Sequence, residues 1–162
     1  MTLSPIQRFI EDLGIAFFSG DTEVERKTVE ATNVAKLQAL YQNVADGDLN
    51  SFIHELHEEV AFENVGPEEI PFIKEAHGPE EFGKAMAYNF SLLDDQKPVV
   101  NSVVAQGDTV VVFADEEGKF RETGRDYQMQ WVQQFTFKNR KLIKFRQVLD
   151  SATLMKAAGV LT

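Results

Sequence analysis

Cysteine is absent from this chain of 162 residues, and histidine occurs only three times. Without a thiol, the chain cannot form disulfides, bind a metal through thiolates or use a cysteine nucleophile. Positive charge is also scarce, because 16 lysines and arginines stand against 26 aspartates and glutamates, for a net charge of −10. An acidic chain repels phosphate groups at long range, so we expect no nucleic-acid partner.

Long apolar runs are missing as well. No stretch approaches the ~20 consecutive apolar residues that a transmembrane helix needs. The first residues, MTLSPIQRFIEDLG, contain no basic segment followed by an apolar one, so we expect no secretory signal. These features predict a cytoplasmic protein without a membrane partner, about one domain in size.

The spacing of the apolar residues changes near residue 98. Helical spacing dominates before this point and strand-like alternation after it, an order typical of the α+β class. The predicted helices begin at Ser4, Thr22, Leu49, Gly78 and Ser151, the second ending at Asp46 and the fourth at Lys97-Pro98. The predicted strands cover Val60–Val65 and about 99–106, 109–115, 126–138 and 141–149. Helices that cover one face of a curved sheet would enclose a pocket for a small ligand.

One acidic residue in the strand-rich half is a candidate catalytic group. Burial of Asp115 beside Phe113 and Phe137 would raise its pKa towards the range of a general base. Alternatively, Asp115-Glu116-Glu117-Gly118 is a turn, because aspartate and glycine favour turns.

Two histidines are candidate metal ligands, since His54 and His57 lie three residues apart on a predicted helix. However, the apolar stripe of that helix leaves them near solvent, and no third ligand has suitable spacing. We therefore predict no metal and no cofactor.

Three segments resemble the nuclear-transport-factor-2-like superfamily, most closely its SnoaL-like, ketosteroid-isomerase-related branch. They are LQALYQNVADGDLNSFIHELHEEVAFEN, IPF…HGPEEF and TGRDYQMQWVQQFTFKNRKLIKFRQVLDSATL. The resemblance covers about residues 34–158. It implies a cone-shaped barrel, in which N-terminal helices pack on a curved antiparallel or mixed sheet. It divides the chain into a helical extension at 1–33 and a barrel domain at 34–162, and implies a homodimer through the outer face of the sheet.

The resemblance also locates the catalytic positions of the family's steroid isomerases. Their carboxylate base falls on Asn64, which cannot take a proton, and their protonated aspartate falls on Gln133. Their catalytic tyrosine falls on Leu40, with Tyr41 one residue away. The carboxylates of steroid isomerase chemistry are therefore not matched.

The related epoxide hydrolases use an Asp-Arg-Asp set together with a tyrosine and an asparagine. The set falls on Asp115, Phe113 and Gln147, and the other two positions fall on Phe62 and Asn64. Asp115 and Asn64 are thus the residues that match.

We predict a cavity that binds a small apolar molecule containing a ring. The residues predicted to line it are Tyr41, Phe62, Asn64, Met86, Trp131, Gln133 and Gln147. Two functions remain open. One is acid–base catalysis of an isomerase, cyclase or hydratase type, and the other is a non-catalytic ligand-binding or protein-interaction dimer.

Overall fold

The computed structural model describes residues 23–162. The helices are α1 (Glu23–Ala45), α2 (Leu49–His54), α3 (Gly78–Ser91) and α4 (Ser151–Ala157). The strands are β1 (Leu56–Val65), β2 (Glu75–His77), β3 (Leu93–Gln106), β4 (Thr109–Phe120), β5 (Arg125–Lys138) and β6 (Lys141–Leu149). The helix predicted from Ser4 lies outside the described residues, and the boundary predicted at 33/34 falls within α1.

The six strands form one sheet in the order β2-β1-β6-β5-β4-β3. Strands β1 and β6 run parallel, and every other neighbouring pair is antiparallel. The sheet is curved and does not close, because β2 and β3 remain as edges. The predicted α+β class and the curved, helix-packed sheet are therefore confirmed.

Helices α1 and α3 bury their apolar faces against the sheet. Leu37 and Leu40 of α1 and Phe82 of α3 are at most 2% exposed. The ring of Phe82 contacts the ring of Phe62 on β1 at a centroid distance of 5.0 Å and that of Phe145 on β6 at 5.8 Å. Aromatic packing of this kind holds α3 over the parallel pair of strands.

Two strands are longer than the sequence indicates. Strand β4 continues to Phe120, so the interpretation of 115–118 as a turn is wrong. Helix α3 ends at Ser91 and not at Pro98, because β3 begins at Leu93 and pairs with this part of β4. Proline is accommodated in β3 because an edge strand does not need every backbone N–H in the ladder.

Strand β1 also begins earlier than predicted. Leu56, which the apolar spacing assigns to a helix, is its first residue and is 3% exposed. The segment between β1 and α3 contains β2, whose His77 pairs with Ala61 of β1. Within residues 23–162, no helix is long and apolar enough to cross a membrane.

Candidate functional site

A cavity of about 120 Å³ lies between the concave face of the sheet and helices α1 and α3. The structure brings all seven predicted binding residues to its wall: Tyr41, Phe62, Asn64, Met86, Trp131, Gln133 and Gln147. Most of the remaining wall is apolar: Leu40, Val44, Phe52, Phe72, Phe82, Phe90, Leu93, Met129, Phe135 and Phe145. Only a few polar side chains line the cavity, so each of them has a strong influence on which ligand can bind there.

Strand alternation explains how β5 contributes to this wall. Successive side chains of a strand point to opposite faces of the sheet. Met129, Trp131, Gln133 and Phe135 therefore share the concave face and line the cavity. Trp131 is buried, with 6% of its surface exposed.

A chain of hydrogen bonds, here called the amide chain, crosses the cavity wall. The Tyr41 hydroxyl donates to Gln133 Oε1 at 2.7 Å, and Gln133 Nε2 donates to Gln147 Oε1 at 2.6 Å. Gln147 Nε2 then donates to Asn64 Oδ1 at 3.0 Å. Asn64 Nδ2 donates to the backbone carbonyl of Ile73 at 2.9 Å, which ends the chain.

Strand register brings the three amides together. Asn64 of β1 pairs with Gln147 of β6, which in turn pairs with Gln133 of β5. The amides thus form one row across three neighbouring strands, where cross-strand side chains lie within contact distance.

The direction of the amide chain follows from its last member. The Ile73 carbonyl can only accept, so Asn64 must present its NH₂ group there and its oxygen to Gln147. With Asn64 oriented in this way, Gln147 must donate its NH₂ group to Asn64 and accept from Gln133 through its oxygen. Gln133 must in turn accept from the Tyr41 hydroxyl. Burial raises the pKa of Tyr41 well above its usual range, so its hydroxyl keeps the proton that it donates.

Glu116 of β4 is a cavity residue that the sequence analysis did not identify. It is 6% exposed. Its Oε1 accepts hydrogen bonds from the Tyr127 hydroxyl at 2.7 Å and from Gln96 Nε2 at 3.0 Å. Its Oε2 accepts from Trp131 Nε1 at 2.9 Å. All three partners donate, which is the bonding pattern of an ionised carboxylate.

A glycine makes room for one of these donors. Gly118 pairs directly with Tyr127 across β4 and β5, and a Cβ atom at this position would collide with the Tyr127 phenol. Burial, and after it the hydrogen bond to Glu116, raises the pKa of Tyr127 well above its usual range. The hydroxyl therefore remains a donor to the carboxylate.

Asp115 is not part of the cavity. It points to the opposite face of β4 and is exposed. Asn101 Nδ2 donates to it at 2.8 Å and Gln130 Nε2 at 2.9 Å. These hydrogen bonds lower its pKa, so the expected burial and raised pKa are wrong. Phe113, which occupies the same face, is 41% exposed.

The sequence contained a signal for Glu116. Val110, Val112 and Ala114 are buried on one face of β4, and the period of two continues to residue 116. The residues after Ala114, Asp115 to Gly118, are of types that favour a turn, so the alternation alone did not predict that the strand continues. A shift of one residue separates the expected carboxylate from the one that lines the cavity, because neighbouring strand residues face opposite ways.

No group of three or more histidine, cysteine, aspartate or glutamate side chains in residues 23–162 could hold a metal ion. His54 and His57 do not share an element, since α2 ends at His54 and His57 lies on β1.

The sheet is curved and mixed, and helices pack on its concave face around a largely apolar cavity with a few polar groups in its wall. This arrangement defines the class of cone-shaped α+β proteins with an internal pocket. The sequence matches the SnoaL-like domain over residues 37–145. The chain therefore belongs to the SnoaL-like family, within the nuclear-transport-factor-2-like superfamily.

Solved structures share this fold at low sequence identity. A nuclear-transport-factor-2-like protein from Burkholderia xenovorans superposes with a TM-score of 0.69 at 21% identity, covering 79% of this chain and 96% of its own. One of unknown function from Burkholderia pseudomallei gives 0.69 at 16% identity, covering 78% and 96%. An epoxide hydrolase from M. tuberculosis gives 0.62 at 12% identity, covering 79% and 90%. No curated protein sequence matches this chain.

Proposed function

We propose that the protein binds a compact, largely apolar molecule with one ring and one polar end. The observation that carries this proposal is the cavity, where aromatic and aliphatic side chains surround a small set of polar groups. Its volume of about 120 Å³ is close to the ~150 Å³ of an engineered apolar cavity that takes up benzene. A molecule of six to eight non-hydrogen atoms is therefore of the right order of size.

The proposed ligand is not a steroid. A cavity of about 120 Å³ is closer in size to a single ring than to four fused rings. Asn64 occupies the position that the family resemblance gives to the catalytic base, and its amide is held by Ile73 and Gln147. An amide cannot abstract a proton, so we expect no steroid isomerase activity.

One observation favours a second candidate function, an enzyme that moves a proton on the same ligand. Glu116 places a buried carboxylate at the cavity wall. Such a group is the ordinary means of acid–base catalysis in isomerases, cyclases and hydratases. This function would require turnover of a bound ligand that is lost in Glu116→Gln, whereas a binding protein would return the ligand unchanged.

The outer face of the sheet supports the proposal of a homodimer. Phe113, Val132 and Val148 lie in register across β4, β5 and β6. Phe113 is 41% and Val148 45% exposed. An exposed apolar row on the face of a sheet is typical of the centre of an interface, so we propose a second copy of the chain as its partner.

The ligand proposal is tested through the intrinsic fluorescence of Trp131, the single tryptophan of the sequence. Cyclohexanol and cyclohexanone combine one saturated ring with one polar atom; the alcohol does not absorb where indole does, and the ketone absorbs only weakly there. Titration with either should change the Trp131 emission to saturation. The change should weaken in Gln133→Leu and stay normal in Gln134→Leu, the same substitution on the outer face of β5. Absence of any saturable change with both compounds would contradict the proposal.

A further inference from the structure

Glu116 is a buried negative charge for which the described residues of the cavity wall supply no positive partner. None of the described residues that line the cavity is a lysine, arginine or histidine. None of the ion pairs within residues 23–162 involves this carboxylate. Within the part of the chain that the structure describes, this carboxylate is 6% exposed and accepts hydrogen bonds from neutral groups alone.

The hydrogen bonds leave part of the carboxylate available. An ionised carboxylate has roughly four lone-pair sites. Tyr127, Gln96 and Trp131 use three of them. Neutral donors reduce the cost of burying the charge, but a cation would reduce it further, because buried charges are most stable when they are paired.

The rest of the wall is suited to the same kind of ligand. Trp131 lines the cavity and donates its indole N–H to Glu116, so an aromatic ring lies beside the carboxylate. Eight further aromatic side chains line the cavity: Tyr41, Phe52, Phe62, Phe72, Phe82, Phe90, Phe135 and Phe145. Aromatic faces attract organic cations, and tryptophan does so most strongly.

We propose that the polar end of the ligand is an ammonium group that pairs with Glu116, while its ring lies among the aromatic side chains. This inference rests on the proposed ligand-binding function and specifies the class of ligand, a compact ring-containing amine. An anionic ligand is excluded by the same charge.

The test compares two ligands that share a ring and differ in charge. Cyclohexylamine is an ammonium ion at neutral pH, whereas cyclohexanol is neutral and has the same number of non-hydrogen atoms. Binding of each is measured by isothermal titration calorimetry with the unmodified protein. We expect the amine to bind about 10- to 100-fold more tightly, the range of a charge-assisted hydrogen bond.

Two variants locate the effect. Glu116→Gln should remove the preference, so that cyclohexylamine and cyclohexanol bind with about equal affinity. Asp115→Asn makes the same change in charge one residue away, on the exposed face of β4. It should leave the preference for the amine as it is in the unmodified protein.

The outcomes separate this inference from the function on which it rests. Equal affinity of the two compounds for the unmodified protein would overturn the inference while leaving the cavity a ligand site. An equal loss in Asp115→Asn and Glu116→Gln would overturn it too, because net charge would then explain the preference. If neither cyclohexylamine nor cyclohexanol binds, both proposals are overturned. If Glu116→Gln does not fold, the affinities of cyclohexylamine and cyclohexanol for the unmodified protein still test the inference.

Discussion

Replacing the middle of the amide chain should destabilise the fold by a predictable amount. Gln147→Leu removes the acceptor of Gln133 Nε2 and the donor to Asn64 Oδ1. Leaving a buried polar group without a partner costs about 1–3 kcal/mol. Asn64 is 2% exposed, and Gln133 is half-buried, so its donor lies at the lower end of this range. We expect the free energy of unfolding to fall by about 2–4 kcal/mol.

Chemical denaturation followed by circular dichroism measures this loss, and the thermal midpoint should fall on the order of 10 °C. Gln134→Leu is the matched control, since it makes the same substitution on the outer face of β5, where we expect a change within about 0.5 kcal/mol. Equal losses in the two variants would refute the idea that the amide chain stabilises the fold.

A double-mutant cycle tests the pairing more sharply. In an Asn64→Leu background the acceptor Oδ1 is already absent, so Gln147→Leu then leaves only the Gln133 donor without a partner. The second substitution should therefore cost about 1 kcal/mol less than it does in the unmodified protein. Strict additivity of the two losses would contradict the hydrogen bond between these residues.

Three other predictions concern the tyrosines, the outer face and a glycine. Because the pKa values of Tyr41 and Tyr127 are raised in the folded protein, the stability they contribute is complete below about pH 10, where unfolded tyrosine ionises, and is lost as the pH rises further. In Tyr88→Phe, phenolate absorbance should therefore appear together with unfolding, and its appearance in a folded protein would contradict the burial of both hydroxyls. Val132→Glu should convert the proposed dimer to a monomer in light scattering, and a monomeric unmodified protein would refute the dimer. Gly118→Ala should lower the free energy of unfolding by about 1–3 kcal/mol, because its Cβ meets the Tyr127 phenol; a neutral effect in urea denaturation would show that the ring can move aside.

The concave wall of β5 could be predicted because one physical rule determines it. Alternation places Trp131 and Gln133 on the same face, whatever the rest of the fold does. Positions taken from the family resemblance added Asn64 and Gln147. The bond between these two amides depends on the parallel pairing of β1 and β6, a long-range contact that local patterns do not contain.

Glu116 was missed because local and long-range preferences disagree at that point. The sequence Asp115-Glu116-Glu117-Gly118 favours a turn. However, β3 begins before Pro98, at Leu93, and pairs with this part of β4, so β4 stays extended there. The glycine that suggested a turn instead provides space for Tyr127, the hydroxyl donor to the buried carboxylate. Tertiary pairing therefore determined both the strand length and the polar group in the cavity.

The central claim is that the cavity is a site for a compact ring-containing molecule. The most direct measurement is a crystal structure of the protein soaked with cyclohexylamine. We predict electron density for one ring inside the cavity, next to Trp131, with its nitrogen within hydrogen-bond distance of Glu116. A cavity filled by its own side chains, with no ligand density at saturating amine, would contradict the claim.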